Sequence, residues 1–274
     1  MKRIVLLLFL LLLGQATAVF GQSETPATPA ADENTAAPAD EEPTKYEVQL
    51  QYSQESLTRG LGTWRTASMY LERRFKNREI VWTTFRASER NSIRDQELAA
   101  GFYKPFGKKW AITAEGMFSP TPRFAGKFSV TVEAERVLKH GFVAHVGGKY
   151  TTYNTVKATS VYGIAEKYWG NNRAAYTLYL TDLSNAGIAP THRIQYNRYL
   201  NDARNSVGAT VTFGREHENL GPQLGVLRSN TWSVGVSARY WINKNVGFNA
   251  DGIIHRQGDL YYRRGMNFGI RFRF

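Results

Sequence analysis

The chain has 274 residues, with 35 Lys and Arg against 23 Asp and Glu, a formal net charge of +12, and no cysteine. Without cysteine there is no disulfide, thiolate metal site or thiol nucleophile. Past the N-terminus no run approaches 18 apolar residues, which excludes a helical membrane protein. The mean hydropathy of −0.41 does not exclude a barrel, whose lipid face is hidden in alternation.

Lys2 and Arg3 precede an unbroken apolar run from Ile4 to Leu13. The run falls well short of the roughly 20 residues a spanning helix needs. With the small residues that follow, it reads as an export signal over residues 1–21, cleaved after Ala18 or Gly21. Residues 22–44 are rich in Ala, Pro and Thr and carry Glu24, Asp32, Glu33, Asp40, Glu41 and Glu42 with no base. Such a stretch cannot bury a core and is expected to be a disordered acidic tether. Its acids are balanced elsewhere, so residues 45–274 are more basic than the whole.

From Lys45 the chain alternates in period two, the pattern of half-buried strands. The clearest segments are Tyr46-Val48-Leu50-Tyr52, Leu98-Ala100-Phe102, Trp110-Ile112-Ala114 and Phe128-Val130-Val132-Ala134. Phe142-Ala144-Val146, Ala174-Tyr176-Leu178-Leu180, Val207-Ala209-Val211-Phe213 and Trp232-Val234-Val236-Ala238-Tyr240 continue it.

The connections are of two kinds. Tight turns are expected at Lys76-Asn77-Arg78, Phe106-Gly107-Lys108, Lys139-His140-Gly141, Trp169-Gly170-Asn171-Asn172, Asn201-Asp202-Ala203 and Ile242-Asn243-Lys244-Asn245. Mostly longer loops are expected at Gln54–Gly62, Glu89–Ile93, Ser119–Ala125, Asn154–Val156, Leu183–Pro190, His217–Ser229 and Gln257–Leu260. Alternating short and long connections mark an up-and-down antiparallel barrel of the outer membrane, with the short turns in the periplasm. The connections predict about 14 strands, or 12 if two weak hairpins merge. Trp110, Phe142, Tyr168, Trp169, Tyr199, Tyr240 and Trp241 beside the tight turns suit an interfacial girdle.

The chain closes on Met266-Asn-Phe-Gly-Ile-Arg-Phe-Arg-Phe274. One face is apolar and the other carries Arg271 and Arg273. This segment resembles the closing strand of bacterial outer-membrane barrels. That resemblance implies that Phe268, Ile270, Phe272 and Phe274 form a signal read by barrel assembly machinery.

The middle of the chain carries Gly116-Met-Phe-Ser-Pro-Thr-Pro-Arg-Phe124, Gly141-Phe-Val-Ala-His-Val-Gly-Gly-Lys-Tyr150, Glu166-Lys-Tyr-Trp-Gly-Asn-Asn-Arg-Ala-Ala-Tyr176-Thr-Leu-Tyr and Gly214-Arg-Glu-His-Glu-Asn-Leu220. These aromatic and glycine patterns resemble the YaiO family of outer-membrane barrels, and the likeness runs from Lys45 to Phe274. It implies a Gram-negative outer-membrane location and brings no catalytic residues. Some members carry helical repeats ahead of the barrel, where this chain has only the acidic stretch.

If the apolar positions face lipid, their alternates line the lumen. These are Glu97, Glu115, Lys127, Glu133, Glu135, His145, Lys149, Arg193, Arg239, Asp251, Arg271 and Arg273. Charge at mid-membrane depth must face inward, because a lipid-facing Arg or Lys costs roughly 2–4 kcal/mol there. The lining reads either as a plug of paired charges or as a cationic path for anionic solutes or glycans. Rim bases, among them Arg73, Arg74, Lys76, Arg78, Lys108, Lys109, Lys139 and Arg198, suit lipid phosphates, including those of lipopolysaccharide. The leading function is a structural or transport barrel. An enzyme acting on outer-leaflet lipid is the alternative, built on His192 near Asp182 or His255 near Asp259. No nucleophilic Ser or metal-ligand spacing accompanies them, so no catalytic site, metal or cofactor is expected. Bases spread around a barrel do not suit nucleic acid.

Overall fold

The computed structural model describes residues 46–184, 186–200, 204–219 and 226–274. The signal at 1–21, the tether at 22–44, Lys45, the Asn201-Asp202-Ala203 turn and the centre of the His217–Ser229 loop lie outside the described residues. Fourteen strands follow in chain order: β1 (Tyr46–Leu57), β2 (Thr63–Arg74), β3 (Ile80–Arg90), β4 (Ile93–Phe106), β5 (Trp110–Phe118), β6 (Phe128–Val137) and β7 (Phe142–Thr152). They continue as β8 (Lys157–Trp169), β9 (Asn172–Leu183), β10 (Ile188–Tyr199), β11 (Ser206–Asn219), β12 (Val226–Trp241), β13 (Val246–Gln257) and β14 (Tyr261–Arg273). Each pairs antiparallel with its sequence neighbour, and β14 pairs with β1 to close the barrel. The count is fourteen, not twelve.

Closure is by register. Val48 lies opposite Phe272, Leu50 opposite Ile270 and Tyr52 opposite Phe268. The Tyr46 amide donates to the Phe274 carbonyl at 2.9 Å and the Phe274 amide donates back at 3.1 Å. The two rings stack with centroids 5.9 Å apart.

Period-two alternation sorts every strand into two faces. The apolar set read from the sequence faces outward, with Leu50, Leu98, Phe102, Val132, Val146, Val236 and Phe268 exposed. This belt far exceeds the apolar patch a soluble monomer shows, so it is the lipid-facing surface. Along the outward positions of the described residues, charges stand near strand ends, as at Arg73, Lys104, Arg136 and Lys167. The girdle needs one correction. Trp110, Phe142, Trp169 and Tyr240 are exposed outside, but Tyr168, Tyr199 and Trp241 occupy inward positions, because successive residues of a strand face opposite sides. Trp241 is buried.

The opposite end also corrects the sequence reading. The Glu89–Ile93 loop is a two-residue turn, Asn91-Ser92, with φ of 50° and 68°. Left-handed backbone at both central positions matches the twist of the flanking strands in a type I′ hairpin. Polar strand ends therefore project beyond the membrane, where composition alone reads them as loop. The connection from Ser119 to Lys127 is the long one among the described residues. It folds inward: Phe124, Ala125 and Ser119 are buried.

Candidate functional site: a charged lumen

Inside the barrel the charged side chains fall into tiers. At the periplasmic end, where β1 begins and β14 ends, Glu47 of β1 accepts from Arg271 Nε at 2.8 Å and Arg273 Nε at 2.7 Å. Glu72 of β2 accepts from Arg74 and from the Tyr70 hydroxyl, the latter at 2.6 Å. Arg271 and Arg273 lie over the Trp241 ring, 5.1 Å and 4.0 Å from its centroid. Arg239 stands one inward position further up β12, and its charge acts on Arg271. A guanidinium on an aromatic face gains attraction from the ring quadrupole without needing an acceptor.

On β6 to β9, also close to the periplasmic turns, His145 of β7 meets Glu133 of β6 at 2.8 Å and Glu166 of β8 at 3.9 Å. Glu166 also pairs with Arg173 of β9 and accepts from the Tyr168 hydroxyl at 2.8 Å. Arg173 reaches on to Asn197 of β10 at 3.1 Å. Glu135 lies beside this group. Further out, Arg86 pairs with Glu97 at 3.1 Å, Trp82 donates to Glu115 at 2.8 Å, and Asn267 donates to Asp251 at 2.7 Å. Lys149 sits among Glu115, Arg86 and Glu97.

The outer mouth is narrowed by the inward loop. Asp95 of β4 is 1% exposed, and its carboxylate accepts the backbone amides of Arg123, Phe124 and Ala125 at 2.6–3.0 Å. Three converging amides are a strong acceptor site for an ionised carboxylate. Arg90 is sandwiched between the Trp64 and Phe124 rings, at 4.1 Å and 4.4 Å, and Arg263 covers Trp64 at 5.2 Å. A cation–aromatic ladder thus runs from β14 through β2 and β3 to the loop. Leu57, Trp64 and Tyr261 form a small apolar cluster beneath it, with Leu61 and Leu260 packed alongside. A second cluster joins Tyr153, Val156, Ala158 and Leu183, and burial pushes the Tyr153 phenol in its loop up to about 12.

Large rings lie flat on the inner wall because glycine faces them. A Cβ on Gly101 would meet Trp82 at 2.4 Å, one on Gly147 would meet Tyr162 at 2.4 Å, and one on Gly247 would meet Trp241 at 2.8 Å. Each glycine is the cross-strand partner of its ring. The rings take wall space instead of bore space.

Glu97, Glu115, Glu133, Glu135, His145, Lys149, Arg193, Arg239, Asp251, Arg271 and Arg273 all occupy inward positions. Lys127 is placed differently. It lies just before β6, exposed at the outer rim, because the inward loop ends there. The two imagined acid–base pairs do not form. His192 faces outward, bonded to the Tyr176 hydroxyl at 2.8 Å and stacked on Phe213, while Asp182 accepts from the Gly187 amide. His255 faces inward and bonds Gln257 at 2.9 Å, whereas Asp259 is 94% exposed and paired with Arg256. Glu47, Glu72, Asp95, Glu166 and Arg173 were not singled out by sequence. Alternation next to Val48 and Glu97 was the available signal for Glu47 and Asp95.

The YaiO membrane beta barrel domain model matches residues 45–219. The chain belongs to the YaiO family. The matched stretch ends with β11, and β12–β14 complete the barrel beyond it. Among solved structures, this YaiO-family barrel is similar to a bacterial polysaccharide outer membrane secretin (TM-score 0.54, 12% identity, covering 84% of this chain and 99% of that one). It is also similar to the Acinetobacter baumannii outer membrane protein Omp33 (TM-score 0.50, 14% identity, 85% and 100% covered). An anion-selective porin from Comamonas acidovorans aligns at TM-score 0.49 and 6% identity, with 84% and 99% covered. At these identities the likeness is one of fold. No curated protein matches. The family and the lipid-facing belt place the protein in the Gram-negative outer membrane, surrounded by lipid.

Proposed function

We propose that this barrel is a narrow transport channel for small anionic solutes or short anionic glycan segments. The observation that carries the reading is the β1–β2–β12–β14 side of the periplasmic end, where Arg74, Arg239, Arg271 and Arg273 gather around Glu47 and Glu72. Around β6 to β9 and higher up, acids and bases largely pair with one another, as a charge-filled wall would. A basic neck in a confined, low-dielectric bore attracts anions and repels cations. The Gly–aromatic wall pairs keep the largest rings out of the path. The same architecture carries a polysaccharide secretin, and an anionic glycan would suit the neck as well as a small anion. Bases at the outer rim, such as Arg94, Lys127 and Lys157, meet lipopolysaccharide phosphates in this reading, and the aromatic C-terminus is the mark that assembly machinery reads.

Purified protein in a planar bilayer should give discrete conductance steps, with a salt-gradient reversal potential on the anion side. Absence of steps, together with phospholipid or lipopolysaccharide modification that His192→Ala or His255→Ala abolishes, would overturn the channel reading for the enzyme. The geometry gives that alternative no acid–base pair to start from.

A further inference from the structure

The periplasmic rim is strongly and one-sidedly basic. Its turns present Lys76, Arg78, Lys108, Lys109 and Lys139, all exposed. Glu79 is the one acid among the described residues of these turns, and Lys104 already pairs with it at 3.4 Å. Just inside, Glu47 and Glu72 are engaged by Arg271, Arg273, Arg74 and Tyr70. Of the rim bases Arg78 acts on the inward Glu135, so the surplus that remains is carried by the exposed lysines.

The chain enters the barrel at this same rim. Tyr46 opens β1 beside Phe274, with Arg73 over its ring at 5.5 Å. Asp40, Glu41 and Glu42 stand four to six residues before it. Covalent geometry confines them to within about 20 Å of Tyr46, so their effective concentration at the rim is on the order of millimolar or above. Charge sign, attachment point and reach all agree.

We propose that the acidic N-terminal stretch docks through Asp40, Glu41 and Glu42 on the basic periplasmic rim, an electrostatic contact of the chain with its own barrel mouth. The inference rests on residues 22–44 staying attached after export, and not on what passes through the lumen. Salt should weaken the contact, since at 0.5 M the screening length falls to roughly 4 Å.

Zero-length carbodiimide cross-linking of the full exported chain in detergent, read by peptide mass spectrometry, tests this directly. The Glu79–Lys104 pair is the internal positive control. Links from Asp40, Glu41 or Glu42 to Lys76 or Lys139 should appear at about 20 mM salt and fall at least about fivefold at 0.5 M. They should fall likewise in the Lys108→Glu/Lys109→Glu variant, which leaves both reporter lysines in place. Control links without tether links would overturn the proposal, as would tether links indifferent to salt and to rim reversal. Tether links that persist in zwitterionic bilayers but vanish in anionic phospholipid would assign the rim to lipid instead.

Discussion

The Asp95 carboxylate and the Phe124 amide lie 2.8 Å apart although 29 positions separate them. That bond, with its neighbours from Arg123 and Ala125, holds the Ser119–Lys127 connection inside the mouth. Asp95→Ala removes a charged acceptor from three amides at once, and each orphaned donor costs about 1–3 kcal/mol if it stays buried. The loop should instead swing out. Trypsin added to intact barrels should then cut at Arg123 or Lys127, and single-channel conductance should rise. Unchanged cleavage and conductance would mean the cation–aromatic ladder alone holds the loop.

Glu47 is the hub of the neck. Glu47→Ala leaves Arg271 and Arg273 facing each other without a counter-charge, which for a buried pair costs about 3–5 kcal/mol. The folded band on an unboiled detergent gel should convert at a lower temperature, and the reversal potential should move further toward anions. Glu47→Leu combined with Arg271→Met and Arg273→Met should recover most of the lost stability, because neither guanidinium is then left without its counter-charge.

Gly101 faces the Trp82 ring, and a side chain there also approaches the Ala114 carbonyl at 2.8 Å. Gly101→Val should reduce the folded fraction by an amount equivalent to about 1–3 kcal/mol. Trp82→Leu in the same chain should recover part of it by vacating the space. A full loss that Trp82→Leu does not touch would put the clash on the backbone.

Deleting Phe274 removes one ring of the Tyr46 stack and both terminal ladder bonds. Insertion in cells should fall several-fold, while refolding into detergent should proceed with a modest loss of stability. Equal loss in both settings would make Phe274 a structural residue and not an assembly mark.

The barrel was legible because its outer face obeys one rule. Phe128-Val130-Val132-Ala134 identifies itself as lipid-facing, and Glu133 and Glu135 then follow as inward. What alternation cannot supply is register: that His145 would meet Glu133 depends on how β6 slides against β7. Glu166 was missed because the outward positions of β8 include Thr159 and Gly163, which blur its apolar face, whereas Arg173 follows as inward from Ala174-Tyr176-Leu178-Leu180 on β9. Asp95 was missed for a different reason. Its partners are main-chain amides of a loop, and any residue supplies those. The outer loops were overestimated because Glu89 and Arg94, paired at 2.7 Å, are strand residues standing in headgroups or water.

Eleven consecutive residue pairs join β1 to β14, the same antiparallel ladder found between every other pair of neighbours. A closed barrel has no edge strand, so the finished wall keeps no record of where the chain began. Topologically the protein is a ring broken at a single covalent bond. A permuted chain linked from Phe274 to Tyr46 and opened at Gly258–Leu260 would build the same wall. Whatever distinguishes β14 must therefore act during assembly, before the seam is sealed.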